Sequence, residues 1–450
     1  MRFELNAGVV AAILATSAVA GAQRVYDNLG AGTDGVAFFG DLVLDDLTVE
    51  GVGLLQSVTV GMSAQGDVVT DLTLSLALDG GDGVPDLDGT GDDTFIVQST
   101  LRGVAVTGGA VTEVTFDVSG WFTTVKAGDQ LFGGVQAMNP SVGHVFYGEP
   151  SPGETDEFVI SFDAMGPVPA PGVEDPLEFP NSLGLGFRIE AIELPGAAPG
   201  DGVEGDVVDF ESLSEGFQGM ALALDGVTFS KAFSGFPPLG EETLAIDDST
   251  NVWGGAPGML DYIDGKLLNI NAYSDGPNGY AFAIWKSMRM ALDEMHTGAR
   301  LSVAYVVEDI LDGNDYSSSE ITLLAMLGEK MVATDVIHSD NVLGISPGGS
   351  FSFGAGTLEI AGVEFDSLVL FTNGPGTFGT VRMGMDNLVI GEGGGCAADF
   401  NGDGMLNILD FVALQVAFQA GDESADINGD GMLNILDFVA FQGLFQRGCA

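Results

Sequence analysis

A chain of 450 residues carries 65 acidic against 13 basic side chains, a net charge of −52, and such a charge repels nucleic acid and anionic lipid alike. Only 17% of residues are charged while 46% are hydrophobic, so this is not a disordered acidic chain but one with the apolar content to bury large cores. With 68 Gly and 29 Phe, in runs of alternating Val, Thr, Leu and Phe cut by Gly and Asp clusters, the pattern predicts a mainly β protein of many short strands.

Residues 1–22 read as a Sec-type signal peptide: Arg2, an apolar run from Ala7 to Ala20, then small residues offering cleavage after Ala20 or Ala22. The expectation is a secreted or cell-surface protein. No later apolar stretch reaches the roughly 18 residues a membrane-spanning helix needs.

Residues 23–194 form a first β block, with strands expected at 57–61, 71–78, 94–100, 103–106, 112–118, 130–136, 158–162 and 185–193. Turn signals recur between them at the spacing of an antiparallel sandwich. Residues 195–206, Pro-rich and then acidic, read as a linker. A second β block spans 207–391, opening with Asp209-Phe210-Glu211 and closing on a strand through Asp386-Asn387. Within it, Ala281–Met295 fits a short helix or a strand pair equally. Glu392-Gly393-Gly394-Gly395 reads as a flexible hinge.

Residues 396–450 contain one unit written twice. Asp399 to Asp410 recurs 27 residues later as Asp426 to Asp437, and across 398–415 and 425–442 only two of eighteen positions differ. Each copy places oxygen ligands at positions 1, 3, 5, 9 and 12 of a calcium loop, with Gly at position 6 for the sharp turn. Asp399, Asn401, Asp403 and Asp410 are the side-chain ligands of the first loop, with the Met405 carbonyl and Asn407, the last directly or through water. Asp426, Asn428, Asp430, Asp437, Met432 and Asn434 repeat the set, so two Ca²⁺ ions are expected. After each loop Ile408, Phe411, Val412 and Phe418, then Ile435, Phe438, Val439 and Phe445, follow helical spacing. Each unit is a loop plus its exit helix.

At these residues the chain resembles the type I dockerin, a duplicated calcium-loop-and-helix module of secreted bacterial proteins. The resemblance implies two antiparallel helices with pseudo-twofold symmetry and docking to a cohesin-like protein or another cell-surface component. It departs from the family at loop positions 10 and 11, where a small hydroxyl pair commonly reads the partner: here stand Ile408-Leu409 and Ile435-Leu436. Facing outward, these four form two equivalent apolar patches; facing inward, they are core, the reading that the burial preference of Ile and Leu favours. In a module of that symmetry the two ends lie close, which makes a disulfide between Cys396 and Cys449, the only cysteines, reasonable. It would contribute roughly 4 kcal/mol in the chain-entropy model.

The second block, by its Asp-Phe-Glu opening and Asp-Asn closing strand, resembles the jelly-roll sandwiches of bacterial carbohydrate-binding modules. In these the first and last strands are neighbours and an acid from each can hold a structural Ca²⁺, which nominates Glu211 and Asp386; two solvated strand-end carboxylates are the alternative.

Other chemistry has less support. The carboxylate-rich loop 79–93 matches no full calcium ligand set and reads as a solvated hairpin. His144, His296 and His338 lack metal-site spacing, and Trp121, Trp253 and Trp285 read as core before they read as sugar platforms. The sequence therefore predicts two tandem antiparallel jelly-roll-type β-sandwiches followed by a small α module: a non-catalytic protein, attached through calcium, whose sandwiches bind polysaccharide. The alternatives are a polysaccharide-degrading, glycoside hydrolase-type subunit docked the same way, and a structural surface protein.

Overall fold

The computed structural model describes residues 21–29, 33–37, 42–80, 94–147, 160–162, 184–196, 200–233, 244–249, 259, 262–270, 272–274, 280–282, 287–309, 314–345, 351–374, 383–395, 398–401, 406–425, 427 and 432–447. It is mainly β, its named strands pair antiparallel, and two short helices stand near the C-terminus. The chain divides into two compact units, with the change from one to the other at Glu193 and Leu194. Among the described residues no helix is long and apolar enough to cross a membrane.

In the first unit, β1 (Gln23–Asp27), β2 (Leu42–Thr48), β3 (Gly53–Ala64), β4 (Val68–Leu78), β5 (Thr94–Val106), β6 (Thr112–Asp117), β7 (Gln130–Ala137), β8 (Val142–Tyr147) and β9 (Phe187–Ile192) are the principal strands. β1, β9, β3 and β8 follow one another in one sheet, with β6 also on β3; β2, β7, β4 and β5 follow one another in a second. The sequence alternation explains the stacking of the sheets. Val58, Val60 and Met62 of one sheet and Leu72, Leu74 and Leu76 of the other are fully buried in a shared core, as two faces of a β-sandwich require. The expected strands at 57–61, 71–78, 112–118 and 130–136 fall on β3, β4, β6 and β7, and those at 94–100 and 103–106 are one strand, β5, that bulges where Gly103 takes φ 66°. Trp121 is buried; Trp253, Trp285 and most of the acidic loop, 81–93, lie outside the described residues.

The second unit is built on a single large sheet. Its main strands are β10 (Gly200–Val208), β11 (Leu244–Asp248), β12 (Lys266–Asn269), β13 (Ser287–Asp309), β14 (Glu320–Leu327), β15 (Lys330–His338), β16 (Phe351–Asn373) and β17 (Met383–Gly395). The order β11-β12-β17-β13-β16-β14-β15 folds over itself, since Ile246 and Leu268 from one end share a core with Leu323 and Leu370 from the other. The two 23-residue strands, β13 and β16, make the turn through bulges near His296 and Val306.

Two expectations are corrected here, and one open alternative is narrowed. Residues 200–206 and 392–395 are neither linker nor hinge but the paired ends of β10 and β17, with Gly200 opposite Gly395, Val203 opposite Gly393 and Gly205 opposite Gly391. The glycines serve close approach instead of flexibility: a Cβ on Gly205 would run into the Ile390 carbonyl, and one on Gly391 into that of Glu204. The described residues of 281–295 are strand, at Tyr280–Phe282 and from Ser287 into β13, which favours the strand alternative there. Asp209-Phe210-Glu211 does not open a strand but follows β10; Phe210 is fully buried, edge-on to Phe229 at 5.6 Å.

Candidate functional site

The C-terminal residues form α1 (Ile408–Ala420) and α2 (Ile435–Arg447). Both start where the calcium-loop pattern ends. Asn407 caps α1 by accepting the Leu409 N–H at 2.8 Å, and Asp410 completes a capping box by accepting the Asn407 N–H at 2.8 Å. The second copy repeats this: Asn434 accepts the Leu436 N–H at 2.8 Å and Asp437 the Asn434 N–H at 2.7 Å. Loop positions 9 and 12 are thus fixed by the helix start. Asp410 also accepts the Asn401 N–H at 3.4 Å, which ties loop position 3 to position 12.

Asp410 and Asp437 are both fully buried carboxylates. A buried carboxylate is costly unless hydrogen-bonded and neutralised, and the bonds named here come from uncharged backbone N–H groups. The donor set fits a hard cation such as Ca²⁺, because carboxylates, amide oxygens and backbone carbonyls make up the repeated pattern. Between Cys396 and Ala450 eight carboxylates stand against one arginine, Arg447. Of the expected ligands, Asp399, Asn401, Asn407, Asp410, Met432, Asn434 and Asp437 are described; Asp403, Met405, Asp426, Asn428 and Asp430 lie outside the described residues, as do Cys396 and Cys449. Among the described residues no three His, Cys, Asp or Glu side chains are grouped to hold a metal.

The two helices pack through phenylalanine. Phe411 meets Phe441 and Phe445, each at 4.9 Å, and Phe418 meets Phe438 at 5.0 Å. The two positions at which the copies differ, Phe400 against Ile427 and Leu414 against Phe441, all lie in this shared core. Phe400 meets Phe441 edge-on at 6.1 Å, so one differing position from each copy packs against the other.

The helical pattern read as one packing face is in fact two. On α1 the Phe411, Leu414, Phe418 side turns inward, while Ile408 is 71% exposed, Leu409 53%, Val412 49% and Val416 62%. On α2 Ile435 is 70% exposed, Leu436 55% and Val439 59%. The inward reading of Ile408, Leu409, Ile435 and Leu436 is therefore corrected: they face solvent. Val412, Val416 and Val439 join them, and the sequence signal that finds them is the recurrence every four residues from Ile408 and Ile435.

In the second unit Asp386 is buried. Its Oδ2 accepts the Asp264 N–H at 3.1 Å and its Oδ1 the Asn387 N–H at 2.7 Å. Burial is the largest cause that pushes its carboxyl up to about 6, and the charges of Asp264 and Glu211 add to it. Glu211 accepts the Lys266 N–H at 2.5 Å, and the Lys266 ammonium donates back to the Glu211 carbonyl at 2.9 Å. The two nominated acids thus sense each other's charge while serving as backbone clamps at the ends of strands. His144, His296 and His338 stand on β8, β13 and β15, and among the described residues they join no metal-holding group.

No protein-family model and no curated protein matches the sequence. Among solved structures, the chain is similar to the N-terminal CBM22-1-CBM22-2 tandem domain of Paenibacillus barcinonensis Xyn10C, at 11% identity and a TM-score of 0.20, covering 84% of this chain and 99% of that one. It is similar also to a truncated AlyQ with CBM32 and alginate lyase domains, at 8% identity and a TM-score of 0.18, covering 87% and 99%. Allantoicase matches at 9% identity and a TM-score of 0.17, covering 83% and 90%. Overlaps this loose transfer no activity.

Proposed function

We propose that the chain is an exported, non-catalytic attachment protein. Its C-terminal module takes up two Ca²⁺ ions and docks through the outward aliphatic stripes of α1 and α2, so that the β units are held at a cell surface or in an assembly, where they bind polysaccharide. The observation that carries this reading is the exposure of Ile408, Leu409, Val412 and Val416 on one helix and of Ile435, Leu436 and Val439 on the other. Apolar side chains gathered on a surface mark an interaction site, and here they adjoin loops whose spacing is that of calcium ligands. A cohesin-like protein or a cell-surface component is the partner that the duplicated loop-and-helix pattern suggests.

Equilibrium dialysis of the full chain against calcium should give two ions per molecule. Retention of the loaded protein on insoluble polysaccharides, with no sugar released, supports the display reading, and released sugar overturns its non-catalytic part. A stoichiometry of zero overturns the calcium module itself.

A further inference from the structure

We propose that His144 is an acid-released latch between the two sheets of the first unit. His144 lies on β8, opposite Met62 of β3, and is 3% exposed. Its ring crosses the interior to β7 in the other sheet, where Nε2 is 2.8 Å from the Val135 carbonyl oxygen and 3.1 Å from the Val135 nitrogen. The β2 ladder along β7 ends with Leu44 opposite Gly134. At the next residue the imidazole takes the place of a strand neighbour.

One ring nitrogen cannot serve both backbone groups at once. With Nε2–H donating to the Val135 carbonyl, Nδ1 keeps a lone pair; with the other tautomer, Nδ1 carries a hydrogen. Among the described residues Nδ1 has no hydrogen-bond partner, and of the two Val135 contacts the one to the carbonyl oxygen is the shorter, 2.8 Å against 3.1 Å, as a donating Nε2–H requires. The geometry therefore selects Nε2–H. Protonation would add both a hydrogen and a charge at Nδ1, where nothing accepts them.

The surroundings offer the charge no compensation. Phe187 of β9 stands 6.3 Å from the ring, while Arg188 of the same strand is engaged with Asp27 and Glu113, and Glu190 with Ser57. β3 and β7 carry no ionisable side chain. On β2, Asp45 and Asp46 are buried, and Asp45 accepts the Leu185 N–H at 2.5 Å. On β4, Asp71 accepts the Gly103 N–H at 2.8 Å. On Thr33–Ala37, which also pairs with β8, the acid is Asp34, three positions from the Ala37 that faces His144. Burial accordingly lowers the imidazole to about 4, against a smaller opposing effect of the Val135 hydrogen bond.

The sign follows from linkage. The closed state binds its proton at about pH 4 and the open state at about 6.5. Closure is therefore strongest above the open-state value and weakens as pH falls between the two, by up to about tenfold per pH unit. Mild acid should part β8 from β7 at a corner where the ring is the bridge.

Native-state hydrogen exchange on the full-length chain, corrected for the pH dependence of the chemical step, reads this opening. The opening constant for amides of Leu131–Ala137 and Val142–Val145 is expected to rise about fortyfold between pH 6.5 and 4.5. In His144→Gln, whose amide keeps a donor for the Val135 carbonyl, that acid response should be absent. Exchange that is flat with pH, or equally acid-sensitive in the variant, overturns the latch. Should the variant not fold, ring-nitrogen NMR of His144 in the wild type decides: a ring neutral as Nε2–H down to about pH 4.5 supports it, and a His144 ring titrating near 6.5 overturns it.

Discussion

The Oδ2 of Asp386 accepts the backbone N–H of Asp264 at 3.1 Å, which seats one carboxylate beside another where the second unit buries a charge. The folded-state value for Asp386, about 6 against an ordinary 3.8, means that the folded state holds a proton the unfolded state has lost. Stability of the second unit should therefore fall as pH rises through that window, by at most about 3 kcal/mol. Thermal melts of the isolated second unit from pH 4 to 7 check this, and Asp386→Asn should flatten the slope and raise the stability at pH 7. A slope of opposite sign would mean that the charged form is the one favoured in the fold.

Chelation should act elsewhere. Each C-terminal loop gathers three aspartates, Asp399, Asp403 and Asp410 in the first and Asp426, Asp430 and Asp437 in the second, and without a cation like charges crowd each loop. Helical circular dichroism from α1 and α2 should collapse in EDTA at low salt under reducing conditions, while the β signature persists. Unchanged helicity in EDTA would remove the coupling between metal and fold.

The two faces of the helices should separate in mutagenesis. Phe441→Ala removes a fully buried ring that touches Phe400, Phe411 and Phe445, and should cost about 3–5 kcal/mol. Leu409→Ser with Leu436→Ser alters half-exposed side chains and should leave calcium-loaded stability within roughly 0.5 kcal/mol per site. Urea titrations followed by circular dichroism give both numbers. Attachment to the partner surface should be lost in the second case with folding intact.

Gly205 and Gly391 face each other across β10 and β17. Replacing either with Val sets a branched side chain against a carbonyl of the opposite strand, so the pair should separate locally. Hydrogen exchange at Val203–Val208 and Leu388–Gly393 should rise in each variant, whereas the amides of β14 should stay protected. Unaltered exchange would show that the strands shift to accommodate the side chain.

The sandwich character was legible because period-two alternation survives on β3 and β4, whose Val58, Val60 and Met62 and Leu72, Leu74 and Leu76 turn to the shared core. The helix starts were legible for a related reason, since the spacing that nominates Asn407 and Asp410 as calcium ligands is also that of a capping box. Composition misled at glycine: Gly200 and Gly205 read as part of a linker and Gly393 as part of a flexible hinge, yet the missing Cβ lets two backbones close on each other. It misled also at α1, where apolar residues on both sides hide which side is the core. The phenylalanines decide that, through ring pairs such as Phe411 with Phe441 that spacing alone does not reveal. Asp386 depends on a partner far along the chain, Asp264, and His144, though only nine residues from Val135, on a reach from one sheet to the other that no local pattern announces.

The pairing of Gly200 with Gly395 has a mechanical consequence. Beyond the two hydrogen bonds that Thr334 of β15 gives the Pro195 and Gly196 carbonyls, the chain enters β10 beside the point where it leaves β17, so tension applied between the first unit and a tethered C-terminus, once those two bonds give way, does not shear this strand pair. It loads β10 and β17 from one end, in the geometry that breaks hydrogen-bonded pairs one at a time, and the Gly-rich first pairs add little side-chain packing to resist it. Single-molecule pulling from the two termini should record an early, low-force extension as Gly200–Val208 peels away, before the main sheet ruptures. A chain anchored in this way would have slack to release under load while the rest of the sheet stays folded.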